Sequence, residues 1–485
     1  MTDNARQTAL FILNTLDNSP RTLDYILEEV LDQNCMLSRR DRALTHALVY
    51  GVLRWRARLD WIISRFSKTP LHKINPQVMN ILRLGLFQMT CLDRIPVSAA
   101  VNTSVEMAKG LKGKGLGVRG QGDIWVVRFV NGLLRNAARE MENEREKSEA
   151  GTWKLAGNTA FNDPVSELAA TKSFPKWLIK RWLSRFGREE TEKYCDAVNA
   201  VPPITVRANT LKTTREQLMS AIESEVGNME ATVYAPDGIS FFNPATPISE
   251  MKAFQEGCFQ VQDEAAQLVT LLLDPQPGET ILDACAGLGG KTGHIAQMMR
   301  NQGHIVAADK DAKKLERLKS EMERLGVSIV TAVEHDLDAN SQFSILNSHS
   351  FDRVLVDAPC SGLGVLRRNP DAKWSSSEKD LKRFKERQIR FSDHLAGFVK
   401  PSGVLVYAVC SREPEENEAV VTAFLNQHPE FELEIGDLKR LDKIPPLKGG
   451  RGDVFSGTYP PQGGSFTSLN FQMDAFFSVR FKRIR

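Results

Sequence analysis

Leu282-Asp-Ala-Cys-Ala-Gly-Leu-Gly-Gly-Lys291-Thr292 is the stretch that decides the fold. It follows an apolar run at 279–284 that reads as a buried strand, and it leads into a helical pattern. Strand, glycines, helix is the order a nucleotide-binding turn requires. Glycine lets backbone approach a ligand without a side chain in the way, and a helix N-terminus polarises the site. The next strand ends in an acid at Ala307-Ala-Asp309-Lys, where a ribose hydroxyl pair would be held. The third ends at His335-Asp336, a candidate partner for an adenine amino group. Gly290-Lys291-Thr292 lacks the earlier glycine of a P-loop, which disfavours a phosphate-cleaving enzyme.

Outward from this turn, strand and helix patterns alternate from Gln262 onward. Strands are expected at 279–284, 303–309, 328–334, 352–357 and 403–409, with a closing pair near 430–435 and 474–482. Such alternation predicts a doubly wound α/β domain with its chemistry at the carboxyl ends of the strands. Two of those ends carry cysteines. Phe351-Asp-Arg-Val-Leu-Val precedes Asp357-Ala-Pro-Cys360-Ser-Gly, and Gly403-Val-Leu-Val-Tyr-Ala-Val precedes Cys410-Ser-Arg-Glu-Pro-Glu-Glu-Asn417-Glu418.

A lone cysteine is more often a small core residue than a reactive one. Here Pro359 ends sheet pairing just before Cys360, and the acidic, proline-containing run after Cys410 cannot be core. Cys35, Cys91, Cys195, Cys258 and Cys285 keep the structural reading, although Cys285 lies inside the cofactor turn. A thiolate beside an S-adenosyl-type cofactor suits methylation at carbon 5 of cytosine. Attack on carbon 6 turns carbon 5 into an enamine able to take an activated methyl group. Asp357 could serve the pyrimidine N3/N4 edge, and a second thiol could assist loss of the C5 proton. Spacing alone leaves open which cysteine attacks.

The composition, 42% hydrophobic and 25% charged over 485 residues, is that of a soluble chain of two or three domains. No run approaches the roughly 20 apolar residues of a membrane helix. The polar N-terminus and the odd count of seven cysteines fit a reducing cytoplasm. No Cys-x-x-Cys or His-rich cluster offers a metal site. Residues 1–140 hold 20 Lys+Arg against 12 Asp+Glu, although the whole chain is only +3. That excess, with Arg39-Arg40-Asp-Arg42 and Arg54-Trp-Arg56-Ala-Arg58, favours a polyanionic partner over a merely solvated surface. Residues 5–139 show helical spacing, and Pro76 and Pro96 sit where helices can start, so a bundle of five to seven helices is expected. Residues 141–164 read as a linker, 165–257 as a small α+β subdomain and 258–485 as the catalytic core.

At these residues the chain resembles the NOL1/NOP2/Sun family of RNA cytosine-5 methyltransferases. Asp357-Ala-Pro-Cys-Ser-Gly-Leu-Gly-Val-Leu-Arg-Arg-Asn-Pro-Asp371 with Lys373-Trp374 is similar to the family's fourth motif, and Cys410-Ser with Glu416-Asn417-Glu418 to its sixth. Val261-Gln-Asp-Glu-Ala-Ala-Gln267 resembles the start of its catalytic core, and Arg207-Ala-Asn-Thr-Leu-Lys212 the small subdomain before it. Asp41-Arg-Ala-Leu through Arg54, Leu82-Arg-Leu-Gly-Leu-Phe-Gln88, Leu92-Asp-Arg-Ile-Pro96 and Phe129-Val-Asn-Gly-Leu-Leu-Arg135 resemble a NusB-type RNA-binding helical domain.

The resemblance therefore implies a multidomain chain: an all-α NusB-like bundle, a small α+β subdomain and a Rossmann-like class I methyltransferase domain. This is the arrangement of the bacterial RsmB (Sun/Fmu) subgroup, which methylates 16S ribosomal RNA. It implies Cys410 as nucleophile, Cys360 in product release and Asp357 between cofactor and base. It also implies S-adenosylmethionine over Cys285, Ala286, Gly287, Leu288, Gly289, Gly290 and Lys291, with its ribose at Asp309 and adenine near Asp336. The implied partner is RNA, 16S ribosomal RNA or its assembly intermediates, with no membrane and no metal. The rival readings are the same reaction on transfer RNA and a non-catalytic RNA-binding assembly factor. Two departures stand out: Gly287-Leu288 where the family has Ala-Pro, and Val409 where it has Thr.

Overall fold

The structure is a computed structural model that describes residues 5–33, 37–111, 123–147, 161–338, 350–434 and 473–484. Its contacts divide into two compact units, 1–199 with Asn369–Ser375, and 200–368 with 376–485.

The first unit is helical: α1 Ala5–Asp17, α2 Leu23–Gln33, α3 Arg39–Phe66, α4 Pro76–Cys91, α5 Val97–Gly110, α6 Asp123–Lys147, α7 Pro164–Thr171 and α8 Lys176–Asn199. Helix α4 is buried on every face from Val78 to Met89, which makes it the centre of the bundle. It starts as the sequence suggested. Pro76 is its first residue, and the Asn75 side chain accepts from Gln77 N at 2.8 Å. Pro96 stands one position earlier relative to α5, at its N-cap, without a side-chain capping bond. On α3, Arg54 is buried and Arg56 pairs with Asp17 at 3.2 Å, so that basic cluster is partly spent inside the unit, while Arg39 and Arg40 are exposed.

The expected boundaries shift here. Helices α7 and α8, assigned above to the small subdomain, group with the N-terminal helices. Phe174, Trp182 and Tyr194 stack edge-on at 5.3 and 4.7 Å, and Ser173 Oγ accepts from Ala57 N of α3 at 3.0 Å. The expected linker is helical up to Lys147, and residues 148–160 lie outside the described residues.

The second unit opens with β1 Ile204–Ala208, α9 Arg215–Val226, β2 Met229–Ala231, β3 Gly238–Phe241, α10 Lys252–Gln255 and β4 Phe259–Val261. These strands form an antiparallel sheet in the order β2-β3-β1-β4. Strand β4 falls past the expected 257/258 boundary because β1 needs it as a neighbour, with Val206 opposite Val261.

The chain continues through α11 Glu264–Leu273, β5 Thr280–Asp283, α12 Gly290–Met298, β6 His304–Asp309, α13 Ala312–Leu325, β7 Val330–Glu334 and β8 Phe351–Asp357, and then α14 Ala372–Ser375, which belongs to the first unit. It closes with α15 Glu378–Ala396, β9 Val399–Val409, α16 Glu418–Gln427, β10 Phe431–Leu433 and β11 Phe477–Arg483. The seven strands lie in the order β10-β11-β9-β8-β5-β6-β7. Strands β7, β6, β5, β8 and β9 are parallel, and β11 and β10 add on antiparallel.

Strands β5, β6, β8 and β9 are buried along most of their length because helices cover both faces. Helix α13 shows the complementary pattern, burying Leu315, Leu318, Met322 and Leu325 at helical spacing. The chain runs outward from β5 to β7 and then returns to β8 beside β5. That reversal opens a crevice at the carboxyl ends of β5 and β8, where open α/β sheets bind ligands.

Candidate active site

The glycine-rich turn occupies this crevice. Gly287 and Gly289 take φ of +56° and +84°, a region that favours glycine, so Gly287 in place of the family's alanine suits this backbone. Asp309, at the end of β6, accepts from Gly287 N through Oδ2 at 2.9 Å and so fastens the turn to its neighbouring strand. No atom lies within 4 Å of where a Gly287 side chain would begin.

Below the turn, Asp283 is buried at 1% exposure. Its Oδ2 accepts from Thr292 Oγ1 at 2.8 Å, while Oδ1 is buried with no hydrogen-bond partner. Burial, reinforced by the Asp357 and Asp309 charges against the Thr292 hydrogen bond and Lys291, pushes its carboxyl up to about 7. Burial and the charges of Asp357, Asp283 and Asp309 likewise push the Cys285 thiol well up, which fits a structural thiol.

Lys291 leaves the turn and meets Asp357, at the end of β8, with Nζ 2.5 Å from Oδ2. Burial favours the neutral amine, but the charge and hydrogen bond of Asp357, with Asp283 and Cys410, outweigh it and hold the ammonium above its usual range.

Cys360 and Cys410, 50 residues apart in sequence, come together with their sulfurs 2.8 Å apart. Adjacent parallel strands cause this, since β8 and β9 run side by side with Asp357 opposite Ala408. Cross-bonds hold the two exits: Ala358 N to Ala408 O at 2.9 Å and Gly364 N to Cys410 O at 3.0 Å. The hydrogen bond with Cys410, then burial, then the charges of Cys410 and Glu416 push the Cys360 thiol well up. At this distance the two sulfurs share a hydrogen bond in which either can be the donor. Val409, just before Cys410, is fully buried in β9.

Asp336 stands past the end of β7, where its Oδ1 accepts from Asp338 N at 3.0 Å. His335 N donates to the Asp309 carbonyl at 3.0 Å and links that loop to β6. Sequence spacing placed Lys291 in the turn but gave no sign that it pairs with Asp357. It also missed the support behind the turn. The buried Arg207 guanidinium of β1 donates to Gln262 Oε1, to Gln260 Oε1 at 2.8 Å, to Gln297 Oε1 at 3.1 Å and to the Gly290 carbonyl at 3.2 Å. Burial brings its pKa down to about 9, against the pull of Asp237 and Glu321. Arg207 and Gln262 lay in segments singled out in the sequence, yet only the fold brings them together.

A seven-stranded doubly wound sheet, a glycine turn and acids at successive strand ends define a methyltransferase-type domain. Residues 270–478 match the family model described as 16S rRNA methyltransferase RsmB/F, residues 3–139 the NusB family, and 174–248 the ferredoxin-like domain of RsmF/B-like methyltransferases. The "Probable ribosomal RNA small subunit methyltransferase B" of Bacillus subtilis is 36% identical, over 96% of this chain and 98% of its own. Ribosomal RNA small subunit methyltransferase B of Pseudomonas syringae pv. tomato is 31% identical, over 99% of this chain and 97% of its own. A solved methyltransferase homologue from Pyrococcus horikoshii is 27% identical, with a TM-score of 0.54, and covers 67% of this chain and 100% of its own. The chain belongs to the ribosomal RNA small subunit methyltransferase B family.

Proposed function

We propose that this protein methylates carbon 5 of a cytosine in 16S ribosomal RNA, in the cytoplasm, through a covalent bond between Cys410 and carbon 6. The observation that carries the proposal is the pair of sulfurs 2.8 Å apart beside the Lys291–Asp357 ion pair. The names of the relatives and the RNA methyltransferase family model support ribosomal RNA over transfer RNA.

The turn fits a nucleoside-type group. It offers open space above Gly287, a buried carboxylate oxygen on Asp283 without a partner, and a strand-end carboxylate at Asp309. S-adenosylmethionine held by Cys285–Lys291, Asp309, Asp336 and Asp357 would supply an electrophilic methyl group. The chain's own residues do the rest. The target base is splayed from its stack, because carbon 6 is out of reach within a helix. Cys410 Sγ adds to carbon 6, moving electron density onto carbon 5. Asp357, oriented by Lys291, serves the N3/N4 edge of the ring. Cys360 assists transfer of the C5 proton to water, the C5–C6 double bond re-forms, and the Cys410–C6 bond breaks with its electron pair returning to Cys410 Sγ.

Under-modified 16S RNA incubated with methyl-labelled cofactor should acquire label at cytosine C5 with wild-type protein and none with Cys410→Ala. Cys360→Ala should accumulate a covalent protein–RNA adduct. Label at another atom, or undiminished label in Cys410→Ala, would sink the assignment.

A further inference from the structure

Outside the residues given roles so far, one buried carboxylate gathers both cysteine loops. Glu416 is completely buried. Its Oε1 accepts from Ser361 N at 2.8 Å and Gln388 Nε2 at 3.1 Å, and its Oε2 accepts from Ser361 Oγ and Ser411 Oγ, each at 2.5 Å. Ser361 directly follows Cys360, and Ser411 directly follows Cys410.

The network extends one step in each direction. Gln388 of α15 also donates to the Pro359 carbonyl at 3.0 Å, so a single amide holds the residue before Cys360 and the carboxylate behind it. The Glu416 carbonyl accepts from Tyr407 Oη at 2.7 Å, which ties the same residue to β9 just upstream of Cys410. A buried carboxylate is costly unless donors satisfy it, and here four do. They belong to segments that share no secondary-structure element, so the carboxylate acts as a junction between them.

We propose that Glu416 is a positioning residue, whose carboxylate fixes the Cys360 and Cys410 loops in one register so that both sulfurs converge on a single target base. The proposal rests on the reading in which both thiols act on one cytosine. It differs from a purely stabilising role in a measurable way. A stabilising residue changes the melting temperature, whereas a positioning residue changes the distance between the sulfurs and the rate of the step that uses both. Misplacing reacting groups by about 1 Å can cost about 100-fold in rate.

Phenylarsine oxide, which bridges two neighbouring thiols with loss of water, reads the sulfur pair without any RNA chemistry. Wild-type protein should bind it in a manner lost in Cys360→Ala. Glu416→Gln, checked for fold by circular dichroism, should weaken that binding by about 10-fold or more. It should also lower kcat for RNA methylation by about 10- to 100-fold, with KM and cofactor affinity within about twofold. Ser411→Ala, which removes one donor, should move both readouts the same way if Glu416→Gln does not fold. A lower melting temperature with unchanged arsenical affinity and kcat would overturn the proposal, as would weaker arsenical binding at unchanged kcat. If wild-type protein labels no cytosine C5, the functional reading fails separately. The arsenical ratio still decides Glu416: a fall supports the junction and no change overturns it.

Discussion

Lys291, at the start of α12 behind the glycine-rich turn, and Lys373, in the helical unit, are both largely withdrawn from water but meet different partners. Lys291 is 11% exposed and faces the Asp357 carboxylate at 2.5 Å. Lys373 is fully buried and, among the described residues, donates to neutral acceptors: Asn199 Oδ1 at 2.6 Å, the Arg54 carbonyl at 3.2 Å and the Ser173 carbonyl at 3.3 Å. Its ammonium also lies 3.7 Å from the Phe174 ring centroid. The outcomes oppose each other. Lys291 is held above the usual lysine range, whereas burial, aided by the Arg54 charge, pulls Lys373 well below it. Burial alone therefore marks neither a site nor a strut. A carboxylate at a strand end beside a paired thiol marks the site, and a ring of carbonyls marks the strut.

The largest effect should come from breaking the charged pair. Lys291→Met leaves Asp357 without its partner and should slow methyl transfer by about 100-fold or more in single-turnover assays. A rate within about threefold of wild type would make Lys291 one more structural lysine and erase the contrast.

Lys373→Met should leave the intrinsic methyl-transfer rate of folded protein in place and cost about 1–3 kcal/mol of stability by stranding buried acceptors. The pH dependence sharpens the comparison. An unfolded lysine holds its proton up to about pH 10.4, and folded Lys373 releases it earlier. The unfolded chain then binds more protons in between, so the stability advantage of wild type over Lys373→Met should grow as pH rises toward about 10. Lys291 runs the other way. Its contribution is fully present below the ordinary lysine range and is lost as pH rises through its raised folded value. Denaturation of the two variants at several pH values reads both slopes, and slopes of the same sign would break the distinction.

Asp283 supplies the acidic counterpart and the smallest effect. Its folded carboxyl titrates near 7, so the folded chain keeps a proton that the unfolded chain has lost above about pH 4. Stability from this group falls as pH rises from about 4 to about 7, and Asp283→Asn should flatten the profile over that window. An unchanged profile would mean that the carboxyl does not titrate there.

Much of this was legible in the sequence, for identifiable reasons. Strand periodicity and turn residues located β5, β6, β8 and β9 to within a few residues, because central strands covered on both faces read as apolar runs. Pro359 and the acidic run after Cys410 marked the two thiols as lying outside the sheet. What stayed hidden is convergence through space. Glu416 was visible only as part of a motif, since spacing cannot show that a carboxylate six residues after Cys410 also bonds Ser361. Lys373 and Trp374 read as the tail of a catalytic motif, yet they group with the helical unit, where Trp374 Nε1 donates to the Leu53 carbonyl at 2.7 Å. The 54–58 arginine cluster read as an RNA surface, yet Arg54 is buried and Arg56 is paired with Asp17. Charge counts carry no information about which charges find partners inside.

The most direct test of the central claim is mass spectrometry of Cys360→Ala protein trapped on under-modified 16S RNA in the presence of S-adenosylmethionine. The expected result is a covalent link from Cys410 to carbon 6 of a C5-methylated cytosine, absent when Cys410 is also replaced. A link through another residue, or C5 methylation that persists in Cys410→Ala, would contradict it.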